Sequence, residues 1–98
     1  MELVIGLLNM CLGGGRKQER WPQLLARLRP AAADILLLCE APPTDALVRS
    51  FAGELEMGAL PLPPSKSGIP VAILYRPSLG TPIEFCTDFT CTASACWP

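Results

Sequence analysis

Two side chains in the sequence could act together as metal ligands, and both stand at the end of an apolar run. Asn9 interrupts the run at 2–11, and Glu40 closes the run "DILLLC" at 34–39. If these runs form neighbouring parallel strands, both side chains leave the sheet at its carboxyl edge, where open α/β sheets bind ligands. An amide oxygen and a carboxylate are hard donors of the kind that Mg²⁺ accepts, together with water and a phosphate oxygen. The pattern therefore predicts a Mg²⁺ site that uses Glu40 and Asn9.

A simpler interpretation of the same two residues needs no metal. Asn9 can form a turn with the glycines that follow at 13–15, and Glu40 can face water at the end of its strand. A metal would explain how a carboxylate stays ionised there, because burying an unpaired charge is costly. Both interpretations stay open at the level of the sequence.

The five cysteines lie at positions 11, 39, 86, 91 and 96, and an odd number leaves one thiol outside any closed set of disulfides. Cys11 and Cys39 lie inside apolar, strand-like runs, where cysteine behaves as a small hydrophobic residue. Cys86, Cys91 and Cys96 match no zinc finger or ribbon in their spacing, and the chain has no histidine to complete a mixed site. We expect no metal cluster there, and a redox or metal role has only the cysteine count behind it. The pattern favours a reducing, cytoplasmic location.

Composition indicates a single small domain without a basic field for nucleic acid and without a membrane-spanning segment. The chain has 98 residues, of which 50% are hydrophobic and 17% charged, with a net charge of −1. This is apolar enough to form a core, and it gives no basic field for nucleic acid. No apolar run approaches the ~20 residues needed to cross a bilayer. The stretch "MELVIGLLNMCL" carries a glutamate where a signal peptide has positive charge, so we expect a soluble chain.

Apolar periodicity and turn residues predict four strands and two helices. Their order is strand 2–11, helix 21–29, strand 34–39, helix 44–57, strand 69–76 and strand 81–87. Pro30 is expected to end the first helix, Thr44 to cap the second, and "LPLPPSKSG" to be irregular. The last two strands are separated by a short turn, so they are expected to pair as a hairpin. This order predicts an α/β fold with one mixed sheet and two helices on one face.

The segments around Asn9 and Glu40 also resemble a known family. "ELVIGLLNMCLGGG", followed by "RWPQLLARLRPAAADILLLCE", resembles the start of the endonuclease/exonuclease/phosphatase family, the deoxyribonuclease I-like hydrolases. In that family the first strand ends in an Asn and the second in the Glu that binds the catalytic metal, and Asn9 and Glu40 match these positions. Leu8 stands where Trp is common and Cys39 where Gln is common. "SGIPVAILYRPS" resembles a later strand of such domains, so the resemblance covers residues 2–87. It implies a deoxyribonuclease I-like α/β sandwich, Mg²⁺ as cofactor and a phosphoester substrate.

The chain departs from that family in ways that predict an incomplete member. Family members are longer, and their hydrolysis uses a histidine pair and further Asp and Asn residues from the second half of the fold. This chain has no histidine, and Lys17, Lys66 and Asp88 do not replace a general base that works near neutral pH. We expect residues 1–89 to form a partial domain with one sheet of the sandwich. Segment 90–98 is expected to be an irregular tail, such as a truncation or a shifted reading frame would produce.

Two functions are compatible with these patterns. The first is a truncated member of a Mg²⁺-dependent phosphoesterase family, inactive alone, that keeps part of the metal site. The second is a small non-catalytic α/β interaction module whose exposed sheet face docks on a partner protein or on a second copy. Mg²⁺ binding separates them, because only the first predicts a site that uses Glu40.

Overall fold

The structure, a computed structural model, describes residues 2–15, 18–62, 68–80 and 82. Its α/β class and its single mixed sheet confirm the fold class predicted from the sequence. The elements are β1 (Ile5–Asn9), α1 (Cys11–Gly14), α2 (Trp21–Ala31), β2 (Ile35–Cys39), α3 (Asp45–Glu54), β3 (Gly58–Pro61), β4 (Val71–Tyr75) and a 3₁₀ turn at Pro77–Leu79.

The sheet has the strand order β1-β2-β4-β3. β1 and β2 are parallel, as expected of two strands joined through a crossover helix, which here is α2. β4 pairs antiparallel with β2 on one side and with β3 on the other. β1 and β3 are therefore the two edges of the described sheet, and β2 lies between a parallel and an antiparallel neighbour.

The two main helices cover one face of this sheet. Alternate residues of β2 and β4 point into a core whose centre is Phe51, which is 0% exposed. Phe51 meets the ring of Trp21 edge to face, with 5.1 Å between the ring centroids. The buried hydrophobic residues of the described chain are Met10, Leu25, Leu36, Leu38, Ala41, Val48, Phe51, Ala52, Ala72 and Leu74.

The first strand and the two helices differ from their predicted bounds in ways that the local chemistry explains. β1 ends at Asn9, so Cys11 lies outside the strand and is exposed. α2 continues through Pro30 to Ala31, so Pro30 does not end it: the proline lacks only its own amide donor, and the left-handed Ala32 ends the helix. The cap at Thr44 is confirmed, since its hydroxyl oxygen accepts a hydrogen bond from the Leu47 amide at 3.2 Å.

One predicted irregular segment is wrong. The end of β3 falls within "LPLPPSKSG", and Leu60 and Pro61 pair with β4. Proline is tolerated there because β3 is an edge strand whose outer side needs no donor. The predicted strand 81–87 and its hairpin, the tail 90–98, Lys17, Lys66, Asp88 and the cysteines 86, 91 and 96 all lie outside the described residues.

Asp34, just before β2, joins three strands at one end of the sheet. Its carboxylate accepts a hydrogen bond from the Val4 amide at 2.7 Å and forms an ion pair with Arg76 at 2.9 Å. The Asp34 amide donates to the Val4 carbonyl, and the Arg76 amide donates to the Asp34 carbonyl, both at 2.8 Å. Arg76 also donates to the carbonyl of Ala32 at 2.8 Å. Asp34 is buried and satisfied, so it sets the register of β1, β2 and β4 together.

We expect Asp34→Ala to lower the free energy of unfolding by about 2 kcal/mol, because it removes charge-assisted hydrogen bonds from a buried position. Glu54→Ala is the control, because the exposed pair between Glu54 and Arg29, at 3.4 Å, contributes at most ~1 kcal/mol. Urea unfolding followed by circular dichroism measures both. An Asp34→Ala chain as stable as Glu54→Ala would contradict the role of Asp34.

Candidate functional site

The structure places Asn9 and Glu40 at the same edge of the sheet. Asn9 ends β1 and pairs in register with Cys39, the last residue of β2. Glu40 follows Cys39 directly, so it stands one residue beyond the partner of Asn9. The two residues that the sequence predicts as neighbours therefore follow adjacent parallel strands at their carboxyl ends.

The side chain of Asn9 forms a local turn. Its Oδ1 accepts a hydrogen bond from the Cys11 amide at 2.9 Å, which is the simpler of the two interpretations drawn from the sequence. Asn9 is exposed, and its amide oxygen has a second lone pair. The turn thus uses one lone pair of the Asn9 amide oxygen and leaves the other for a possible metal ion.

The backbone of Glu40 is in the left-handed region, with φ of 50°. An L residue with a Cβ costs roughly 1 kcal/mol there, which is why glycine and asparagine are the usual occupants. Its carbonyl accepts a hydrogen bond from the Gly13 amide at 2.8 Å, and the residue is half-buried. Cys11, after β1, is also left-handed, with φ of 53°, so both strands leave the sheet through a strained residue.

Two glycines let α1, the short helix after β1, pack closely against its surroundings. A Cβ on Gly13 would lie 2.8 Å from Cα of Pro42, and a Cβ on Gly14 would lie 2.4 Å from Cδ1 of Trp21. The Trp21 indole N–H donates to the Gly13 carbonyl at 2.9 Å. Gly13 and Gly14 therefore do more than end the first predicted strand. Because they lack a Cβ, they allow α1 to pack between the loop of Glu40 and helix α2.

This edge offers a metal ion only a partial set of ligands. Glu40 supplies a carboxylate and Asn9 an amide oxygen, whereas Mg²⁺ prefers six oxygen ligands and often keeps several waters. Among the residues described, no group of three or more His, Cys, Asp or Glu side chains could hold a metal ion. The donor chemistry of these two residues would fit half of a Mg²⁺ site.

The opposite face of the sheet, away from the helices, is apolar. It is exposed at Ile5, Leu7 and Leu37, and its other hydrophobic side chains are half-buried. In-register pairing places one aliphatic side chain of each strand in a single row across it, in the order Leu7, Leu37, Ile73 and Leu60. Leu7 is 71% exposed and Ile5 63%. We call this surface the exposed sheet face: Ile5, Leu7, Asn9, Ile35, Leu37, Cys39, Leu60, Val71, Ile73 and Tyr75.

The sequence indicated the possibility of such a face but not the residues that form it. Continuous apolar runs such as "DILLLC" predict a strand that is buried on both faces, whereas only the Leu36 and Leu38 side of β2 is buried. The ion pair of Asp34 and Arg76 was also missed. Its signal is an acidic residue directly before one strand and a basic residue directly after another.

Comparisons with protein-family models, with curated proteins and with solved structures found no match to this chain. No helix in the described ranges is long and apolar enough to cross a membrane. The functional conclusions therefore depend on the geometry of the sheet and of its carboxyl edge.

We expect Gly13→Ala to lower the free energy of unfolding by about 2 kcal/mol, because a Cβ meets Pro42 and φ at Gly13 is +71°. Gly53→Ala is the matched control. Gly53 lies in α3 with nothing within 4 Å of its Cβ position, so alanine should raise stability there by about 0.5–1 kcal/mol. Urea unfolding measures both variants. Equal effects of the two substitutions on stability would contradict the close packing of α1.

Proposed function

We propose that the chain is a non-catalytic α/β interaction module that docks another apolar β-sheet on its exposed sheet face. The observation that carries this proposal is the aliphatic row formed by Leu7, Leu37, Ile73 and Leu60, which runs across all four described strands. Scattered apolar residues on a surface are ordinary, but a contiguous apolar layer indicates an interaction site.

The size of the face agrees with a sheet as the partner. A strand of five residues is roughly 17 Å long, and four strands are about 19 Å wide, so the face covers on the order of 300 Å² in plane. A flat surface of this shape suits a second sheet, which packs about 10 Å away with its strands nearly aligned. An area of this order is comparable with the largest apolar patch of a typical monomer, and such patches are often functional.

The charge of the face supports the same partner. The face carries no Asp, Glu, Lys, Arg or His side chain, and its polar side chains are those of Asn9, Cys39 and Tyr75. A charged groove or a nucleic acid would find no counter-charge there, whereas an apolar sheet loses no ion pairs on docking. The resemblance to deoxyribonuclease I-like hydrolases also favours a sheet as the partner, since the sandwich of those proteins contains a second sheet.

A photo-crosslinking amino acid in place of Leu37 tests the docking. In cells that make the chain, we expect crosslinks to one partner segment with the alternating apolar pattern of a strand, mapped by mass spectrometry. The same group in place of Arg27 is the control, because Arg27 is exposed on helix α2, which lies on the covered side of the sheet.

Crosslinks from position 37 that are no more frequent than those from position 27, or that map to unrelated segments of many proteins, would overturn the docking proposal. A crosslink to position 37 of a second copy would identify the partner sheet as that of the chain itself.

A second candidate function is a Mg²⁺ half-site of a phosphoesterase-like fold, inactive alone. It is favoured by the positions of Asn9 and Glu40 at the carboxyl ends of adjacent parallel strands. The chain would supply two of the ligands and the missing half of the fold the others.

We expect calorimetry to detect Mg²⁺ binding to the wild-type chain and at least about tenfold weaker binding to Glu40→Gln, because the amide loses the charge that attracts the cation. Glu56→Gln is the matched control, since Glu56 is an exposed glutamate with a similar left-handed φ of 55°. Circular dichroism confirms that each variant is folded. No heat of binding in the wild type, or equal binding by both variants, would rule out the half-site.

A further inference from the structure

The outer edge of β1 carries backbone amides and carbonyls that form no hydrogen bonds to β2. β1 is the first strand in the order β1-β2-β4-β3. The Val4 carbonyl accepts from the Ile35 amide at 3.2 Å, and the Met10 amide donates to the Cys39 carbonyl at 2.9 Å. In a parallel pair only alternate residues bond to the neighbour, so the even-numbered residues of this segment turn their backbone groups towards β2.

It follows that Ile5, Leu7 and Asn9 turn their amides and carbonyls away from the sheet. In the described part of the chain no strand pairs with this side of β1. The Cys11 thiol lies 4.0 Å from the Asn9 carbonyl, which is a weak contact that a backbone amide would displace. The edge therefore presents three donors and three acceptors in the geometry of a strand.

Proteins usually protect such an edge with lysine, proline or a bulge. β3, at the other edge, has four residues and carries Pro61. β1 has the sequence IGLLN and none of these devices, and no charged residue occurs between Leu3 and Gly15. Of the two described edges, β1 is the one that is open to another strand.

The edge of β1 is complementary to itself. An antiparallel copy centred on Leu7 pairs Leu7 with Leu7 and Ile5 with Asn9, and it matches every outward amide with an outward carbonyl. Each of the three pairs exchanges two hydrogen bonds, so about six form. Since no charged side chain lies along the segment, the charges of two copies do not oppose this pairing.

We propose that β1 pairs with β1 of a second copy of this chain, in a symmetric dimer whose two four-stranded sheets form one continuous sheet. The two-fold axis passes beside Leu7 and is perpendicular to the sheet, so the helices of both copies lie on the same side. Pairing covers the exposed Ile5 and Leu7 side chains in part and doubles the width of the exposed sheet face. The dimer depends on backbone groups of β1 and does not rest on the proposed docking.

Leu7→Pro tests the pairing, because it removes an outward amide that is not part of the β1–β2 hydrogen bonds. The preceding residue, Gly6, already lies in a strand and so has the extended backbone that a following proline requires. Leu7→Val is the matched control, since valine has as many side-chain carbons as proline and keeps the amide. We expect sedimentation equilibrium of the full chain to show a wild-type dimer, a Leu7→Val dimer within about threefold of its Kd, and a Kd raised 10- to 100-fold by Leu7→Pro. That range is what the loss of about two hydrogen bonds predicts.

Amide hydrogen exchange of the wild type at high and low concentration gives a second readout that does not depend on the variants folding. We expect the amides of Ile5, Leu7 and Asn9 to be protected in the dimer and to exchange freely on dilution. A wild type that stays monomeric at millimolar concentration would overturn the proposal, as would a dimer in which these three amides exchange freely or one that Leu7→Pro leaves intact. Crosslinking from position 37 reports on side chains of the face, so the failure of one proposal is distinguishable from the failure of the other.

Discussion

The arrangement of this molecule depends on how β2 is held between its two neighbours. Asp34, at the start of β2, bonds to the beginning of β1 through Val4 and to the residue after β4 through Arg76. Because side chains alternate along a strand, fixing the register at one end decides which residues reach the core in every strand. The same register places Asn9 and Glu40 at the carboxyl ends of adjacent strands at the other end of the sheet, so the stability of the fold and its candidate site have one common origin.

Much of this fold follows from the sequence, and the differences have local causes. β1, β2, β4 and the two main helices were predicted because apolar runs and helical spacing are strong signals. β3 was not, because the prolines at its end argue against a strand and edge pairing tolerates them. For the site, the adjacency of Asn9 and Glu40 follows from parallel pairing, but the left-handed backbone of Glu40 and the contact of Gly13 with Pro42 depend on how two loops pack. Pairings between distant residues, such as Asp34 with Arg76, have no periodic signal.

Two parts of the surface thus carry the proposed functions, and they differ in what supports them. Among the described residues, the carboxyl edge has one carboxylate and one amide, the latter already engaged in a turn, which amounts to half a metal site. The exposed sheet face is built from side chains of all four described strands and is continuous. In the described part of the chain, helices cover one side of the sheet and no element covers the other, and this uncovered side is the reason for proposing docking.

The solvent exposure of methyl groups on the two faces of the sheet shows whether the exposed sheet face is open to a partner. A soluble paramagnetic probe, added to the isotopically labelled chain at a concentration where sedimentation shows a monomer, relaxes methyl groups in proportion to their exposure. We expect strong relaxation at Ile5, Leu7 and Leu37, and protection at Leu36, Leu38 and Leu74. Equal protection of the two sets in the monomer would mean that the chain covers this face itself, and the claim that it is a docking surface would be wrong.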